Sequence, residues 1–385
     1  MSLAYIVGDA LLYTGAGLRR AAEVCASQDV PTLLADARGQ GARFSPPCGV
    51  VRVGWYAVAQ LRTREGFELR ATPDLSVYSE TRGWVQVRDL RGGEAIRVAN
   101  RGGAFGTDGS YAEGQVLGWL VAAGHLAGDR AVLRFEGEAR GDLAEVFAAA
   151  VNTVIRPARR RRTAPVGLVE ARDQGALTLS SSRLREFALC RGWDAGGRHV
   201  PEVLWGGTRP MQVGFLQALF EADAQVVATA ERAGLRLRTK DEGILRDVQR
   251  MLLNFGLFSR VAPARRSDRP AAAPHRAVRR PLARGSGRSG GGAVARAPRA
   301  AHQLLLSAAT ARQFGDAVGF LSDRKRAEMA SLAGSFIRRP YRERFVASVE
   351  AVAADGSDWV YAVRAPTPGA TVANGLLVAA SERGE

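Results

Sequence analysis

Apolar positions in the first hundred residues recur at strand spacing. The runs at 50–61 (VVRVGWYAVAQL), 67–71 (FELRA) and 95–99 (AIRVA) alternate in part, and Gly66 and the turn Asp89–Gly93 separate them, so this region is expected to be β. The glycine-rich stretch 101–114 reads as a linker. From Val116 the period becomes helical: VLGWLVAAGHL is followed by a strand at 131–135 and a helix at 142–155, with Leu143, Val146, Phe147, Ala150, Val151 and Val154 on one face. A second unit repeats the order. FLQALFEADA (215–224) reads as a helix, and AQVVATA and LRLRT read as a hairpin. A further helix opens on a capping-box pattern from Thr239 to Glu242, carries Ile244, Leu245, Val248, Met251, Leu252 and Phe255 on one side, and ends at Gly256. Helix, strands and helix, twice over about one hundred residues, predict an internal duplication. Helical pattern returns at 303–334 and strands at 344–380, whereas 262–300 has no apolar period and is expected to be disordered.

Length and composition narrow the class. At 385 residues the chain has room for two or three domains, and 46% hydrophobic with 24% charged residues is ordinary for a globular protein. No apolar run is long enough to span a bilayer and no leader pattern opens the chain, so a cytoplasmic protein without a membrane partner is expected. Cys25, Cys48 and Cys190 are far apart, which excludes a disulfide framework or a zinc ribbon. Net charge is +16, of which Arg265 to Arg299 contribute +9 through ten Arg and one Asp. A basic balance points to an anionic partner such as nucleic acid. That signal is blunted because Lys occurs only at Lys240 and Lys325, as in GC-rich coding.

Several chemistries fail on context. Gly287-Arg-Ser289-Gly-Gly291 fits a serine-hydrolase elbow but lies in low complexity rather than between a strand and a helix. A phosphate-binding GxxxxGK[ST] is absent, and the four histidines show no metal-ligand spacing.

Six segments, in order, resemble the blocks of an intein: a Hint splicing module interrupted by a LAGLIDADG, or DOD-type, homing endonuclease. They are VGDALLYTGAGLRR (7–20), 68–98 with its TPD stretch, LGWLVAAG (117–124), HVPEVLW (199–205), FLQALFEADA (215–224) and 360–381 with Ala373-Asn374-Gly375. The resemblance implies an α+β protein. Residues 1–112 and 340–385 would form a β-rich Hint module, and 113–339 a duplicated endonuclease domain. It also implies double-stranded DNA as partner, Mg²⁺ as cofactor and a monomer with internal pseudo-twofold symmetry.

The family's chemistry can be carried over only where the residues match. The splice nucleophile, a Cys or Ser in the family, falls at Tyr5. The second splicing block keeps Thr72 and Asp74 but has Leu75 at its histidine. The terminal His-Asn pair falls at Ala379 and Ala380, with Ser381 as the downstream nucleophile position. No histidine occurs in 1–115 or 345–385, so imidazole acid–base help is missing and splicing is expected to be lost. The chain is also expected to have no flanking protein to join.

In the nuclease blocks the resemblance assigns Asp223 as the metal-holding acid, with Glu221 beside it, while the matching residue of the first motif is Ala123. The Gly that closes the second motif is Ala224, and a Lys of the preceding block is Arg198. One carboxylate of two predicts nicking or impaired cleavage. The basic residues expected to face DNA are Arg159, Arg160, Arg161, Arg162, Arg198, Arg236, Arg238 and Lys240. The rival from another class is a protein that binds duplex DNA without cutting it. A β-rich interaction module with no nucleic-acid role is a third. Residues 262–300 stand where the second half would continue, and an out-of-frame origin would account for their composition.

Overall fold

The computed structural model describes residues 5–27, 34–35, 43–44, 49–100, 102–137, 140–155, 164–170, 175–228, 233–239, 241–264, 302–335, 344–365, 370–379 and 381–382. The chain opens with β1 (Ile6–Val7), β2 (Leu11–Thr14), β3 (Gly17–Arg20), helix α1 (Ala21–Ala26) and the short strands β4 (Leu34–Ala35) and β5 (Arg43–Phe44). It continues through β6 (Gly49–Thr63), β7 (Glu68–Ala71), β8 (Ser76–Ser79), β9 (Gly83–Gln86) and β10 (Ala95–Arg97). The first helical half comprises α2 (Tyr111–Ala123), β11 (His125–Ala127), β12 (Arg130–Phe135), α3 (Arg140–Val154), β13 (Leu168–Glu170), β14 (Leu177–Ser181) and α4 (Ser182–Cys190). The second comprises α5 (Arg209–Asp223), β15 (Ala224–Ala228), β16 (Ala233–Thr239), α6 (Glu242–Asn254), β17 (Arg260–Pro263), β18 (His302–Ser307), α7 (Ala308–Ala317) and α8 (Asp323–Ser335). The chain returns through β19 (Val346–Ala365), β20 (Ala370–Ala373), β21 (Leu376–Ala379) and β22 (Ser381–Glu382). The fold is α+β.

Both ends of the chain build one 12-stranded sheet in the order β1-β7-β6-β19-β10-β8-β21-β20-β2-β3, with β9 on β8 and β22 on β19. Its spine is the pairing of β6 with β19, bulged after Val349, Ala354 and Val360. The sequence pattern suggests two strands across 344–365; the structure has one 20-residue strand, because β6 supplies partners past the turn-like Asp355–Asp358 stretch.

The duplication is legible in the topology. The two four-stranded sheets run β11-β12-β14-β13 and β15-β16-β18-β17, so each motif helix feeds the same strand order. Four sequence expectations need correction here. Residues 302–307 form a strand, not a helix: Leu304 and Leu306 alternate into the core and complete the second sheet. Residues 262 and 263 end β17 and pair with Gln303 and His302, so the low-complexity run departs from a hairpin whose two strands are already joined. The second half's sheet thus needs nothing from that run to match the first half's strand order; residues 265–301 themselves lie outside the described residues. The helix after Thr239 starts at Glu242 with Asp241 as its cap residue, and the Thr239 hydroxyl accepts from the Asp241 amide at 3.1 Å instead of capping. The supposed linker 101–114 already contains the first turn of α2, capped reciprocally by Ser110 and Glu113.

One contiguous apolar core runs from the β body into both halves. The body meets the second half along α6 and β17. Phe258 packs on Phe67 and Phe345, the Gln249 amide donates to the Glu65 carbonyl at 2.8 Å, and the buried Tyr13 hydroxyl donates to the Arg250 carbonyl at 3.0 Å. Burial pushes that phenol's pKa up. Among the described residues no helix is long and apolar enough to cross a membrane.

Candidate functional site

The site is built on the contact between α2 and α5. Small residues bring the two backbones together: a Cβ on Gly114 would fall 1.9 Å from the Met211 carbonyl oxygen, and one on Gly214 would fall 2.4 Å from that of Tyr111. These contacts are reciprocal at a fixed offset, since 214 − 114 and 211 − 111 are both 100. Gly118 closes the seam, with its missing Cβ 2.3 Å from the Phe215 carbonyl oxygen and 2.9 Å from Ala218 Cβ. Only glycine permits backbones to approach this closely. Both helices start on side-chain caps, Ser110 accepting from Glu113 and Thr208 from Met211, and Pro210 lies in the first turn of α5.

Ala123 and Asp223 are the last residues of these helices, and each is half-buried. Glu221 takes another role. It is 5% exposed, and its carboxylate accepts from the Ser322 hydroxyl at 2.6 Å and from the Leu321 and Ser322 amides at 2.9 and 3.2 Å. Its oxygens thus hold the two residues that precede α8, and the Ser322 hydroxyl in turn accepts from the Lys325 amide in the first turn of that helix. Lys325 completes the arrangement from the same helix. Its ammonium donates to the carbonyl oxygens of Phe220 (2.8 Å), Glu221 and Ala224 (2.9 Å), the end of α5. Burial lowers its pKa to about 8 against the opposing pull of Glu221.

Arg236 and Arg238 alternate with Leu235 and Leu237, which are buried at 1% and 0%, so the arginines stand on the opposite, outer face of their sheet. Register puts Arg236, Leu305 and Arg260 in one row. In the first sheet Arg134 lies in a row with Thr178 and Val169. Arg198 is exposed in the loop before α5, away from either sheet, with its carbonyl against Gly243 of α6. Its neighbour His199 is an orienting residue: Nδ1 lies 2.9 Å from Asp247, which also accepts from the Val200 amide, and this bond raises the imidazole pKa. Arg159, Arg160, Arg161, Arg162 and Lys240 lie outside the described residues.

Tyr5 and Thr72, two of the positions that the resemblance assigns to splicing, are in contact. The Tyr5 amide donates to the Thr72 hydroxyl at 2.9 Å, and the Thr72 amide donates to the Tyr5 carbonyl at 2.9 Å. Asp74 pairs with Arg88, and Leu75 is buried in the core. Since β6 takes one edge of β19, β1 and β22 share the other, with Ile6 opposite Tyr361 and Ser381 opposite Arg364. Ala379 ends β21 opposite Ala370, and Ala380 is outside the described residues. Asn374 is a turn residue at φ 49°; its side chain accepts from the Leu11 amide and donates to the Glu68 carbonyl.

Residues 210–319, from α5 to just past α7, match the family of LAGLIDADG-like domains. The chain is also 22% identical over 278 residues to the ribonucleoside-diphosphate reductase NrdEB subunit alpha of Bacillus subtilis (strain 168), an alignment covering 66% of this chain and 26% of that protein. It thus spans about a quarter of the length of the curated relatives it matches. Among solved structures, the homing endonuclease I-DmoI in complex with DNA and Mn is 13% identical at a TM-score of 0.33, covering 54% of this chain and 96% of that one. A DnaB intein from Synechocystis sp. PCC 6803 is 19% identical at a TM-score of 0.22, covering 24% and 67%.

The resemblance implies small residues where the two motif helices meet, but sequence reasoning did not name Gly114, Gly118 and Gly214 there, and it missed Lys325, Ser322 and Arg260. Lys325 carried a signal, as one of two lysines among 54 basic residues. Ser322 and Arg260 had none, because their partners come from distant segments.

Proposed function

We propose that the chain is an intein-derived protein whose LAGLIDADG-like body binds double-stranded DNA and nicks one strand in a Mg²⁺-dependent reaction, and that it no longer splices. The organisation behind this reading is a Hint module from 1–112 and 340–385 around an endonuclease domain at 113–339. The observation that carries it is the reciprocal glycine contact of α2 and α5, with Ala123 and Asp223 at matching helix ends and the same strand order after each. This arrangement supports a pseudo-twofold body with one surviving acid. That the alignment with a reductase subunit covers only a quarter of it supports an insert carried by a larger protein.

Among the described residues no three His, Cys, Asp or Glu side chains gather as a cation cage. Mg²⁺ is commonly held by one or two carboxylates together with substrate phosphates, so Asp223 fits as one ligand of a site shared with DNA. The chemistry that a bound Mg²⁺ supplies is polarisation of a phosphate and acidification of a water. Arg236, Arg238 and Arg260 would neutralise backbone phosphates and hold the duplex against the sheets. The Ala123 side chain offers no carboxylate to a cation, so the other strand stays intact. Splicing fails because the Tyr5 phenol cannot reach its own preceding carbonyl and neither 1–115 nor 345–385 contains a histidine.

The test is a supercoiled plasmid carrying the gene sequence with this coding segment removed. Purified protein with Mg²⁺ or Mn²⁺ is expected to give nicked circles, and Asp223→Ala is expected to give none. Linear product from the parent would overturn the one-strand reading. The hold of Glu221 on Leu321 and Ser322, which leaves Asp223 as the lone candidate ligand, favours a second reading in which DNA is bound but not cut. Retention of the junction DNA without metal, weakening steeply with salt and with no nick, is its expected signature.

A further inference from the structure

The end of α5 is tied to a segment about one hundred residues further along the chain. At α2 the chain turns at Gly124, whose amide donates back to the Leu120 carbonyl. At α5 the amide of Ala224 makes the same bond to Phe220, and three further attachments are added from residues 318–325. Gln217 donates to the Val318 carbonyl at 3.1 Å, the Glu221 carboxylate accepts from Leu321 and Ser322 just before α8, and the Lys325 ammonium takes the terminal carbonyls. A helix C-terminus leaves its last carbonyls without intrahelical partners and carries partial negative charge, so a buried cation there is doubly favoured. All three ammonium hydrogens are committed to carbonyls that flank Asp223, one of them on the very next residue. Lys325 itself is 5% exposed.

We propose that Lys325 is a positioning residue for Asp223: its ammonium, locked onto the carbonyls of residues 220, 221 and 224, fixes the helix end from which the Asp223 carboxylate projects. Glu221 and Ser322 are the second jaw of this clamp. The inference rests on Asp223 being a metal ligand, and the experiment separates the two claims.

Bound Mn²⁺ is measured by electron paramagnetic resonance with the full chain and a duplex carrying the junction sequence, above the signal of duplex alone. Asp223→Ala should abolish the excess binding. Lys325→Met should raise the Mn²⁺ concentration at half saturation about 10–100-fold, the usual cost of losing a group that orients a ligand. Lys325→Gln keeps two donors without the charge and should fall between, which keeps the test alive if the Met variant does not fold. A merely structural lysine would reduce the number of binding molecules and leave the midpoint where it was. That result, or parental titrations for both Lys325 variants, overturns the clamp. An unchanged titration for Asp223→Ala overturns the reading of Asp223 as ligand, and the clamp falls with it.

Discussion

The two helical halves, 111–190 and 209–335, share a strand order and differ in what supports them. The second half is braced on one side by the β body, through Phe258, Gln249 and Arg250, and on another by α8 with Lys325. The first has no such neighbours among the described residues. Leu126, Val146, Val169 and Leu189 are exposed on it, whereas the described residues of 209–335 include no large hydrophobic side chain exposed to that degree. Its stability comes from an internal aromatic cluster, Trp119, Phe135 and Phe147, with ring centroids 4.5–5.6 Å apart. The lesson is that packing and chemistry are separable here: Ala123 fits the end of α2, because a carboxylate there contributes nothing to the seam that Gly114, Gly118 and Gly214 form.

The largest expected effect comes from restoring the missing group. Ala123→Asp should convert nicked circles to linear plasmid with a rate gain of orders of magnitude, since each strand's transition state then has its own metal-holding oxygen. Gel separation of the products reads the result, and continued nicking alone would mean that the first half lacks more than an acid.

Removing the first half's core comes next. Phe147→Ala should cost about 3–5 kcal/mol, and because that half is joined to the rest chiefly through the α2–α5 seam among the described residues, hydrogen exchange should quicken in 111–190 while α6 and the β body stay protected. Uniform loss of protection would show that the halves unfold as one. The seam is a smaller lever: Gly114→Ala places a methyl against the Met211 carbonyl and should cost about 1–3 kcal/mol by denaturant unfolding. A neutral outcome would mean the helices are free to separate.

The smallest effect is a pH dependence belonging to the second half. His199 has a raised pKa in the fold because Asp247 accepts its proton, so the bond's contribution is fully present below the ordinary histidine pKa and is lost as pH rises through the raised value. His199 is largely exposed, so the contribution should be roughly 0.5 kcal/mol or less. Melting curves of the parent and His199→Gln should therefore converge as pH increases above neutrality. A gap that widens with pH would reverse the assignment.

Much was legible in the order of residues. The 3.6-residue period of 142–155, the alternation at 131–135 and the hairpin after Asp223 are local properties, set by which side chains must leave water. The repeat of these elements at a fixed offset reveals a duplication without any coordinates, and Tyr5, Leu75 and Ala123 are the positions at which the sequence departs from the family it resembles. Tertiary structure alone decided the rest. Gly114, read as linker, became a contact point only once a second helix lay against it. Residues 302–307 could be placed as a strand only when β16 and β17 offered edges on both sides. Glu221, which follows the family pattern, was claimed by the amides of a segment one hundred residues away. Lys325 acquired its role the same way. Period and residue type are written in neighbours along the chain, but a buried polar group is assigned by whichever distant partner satisfies it, and that partner exists only in the folded molecule.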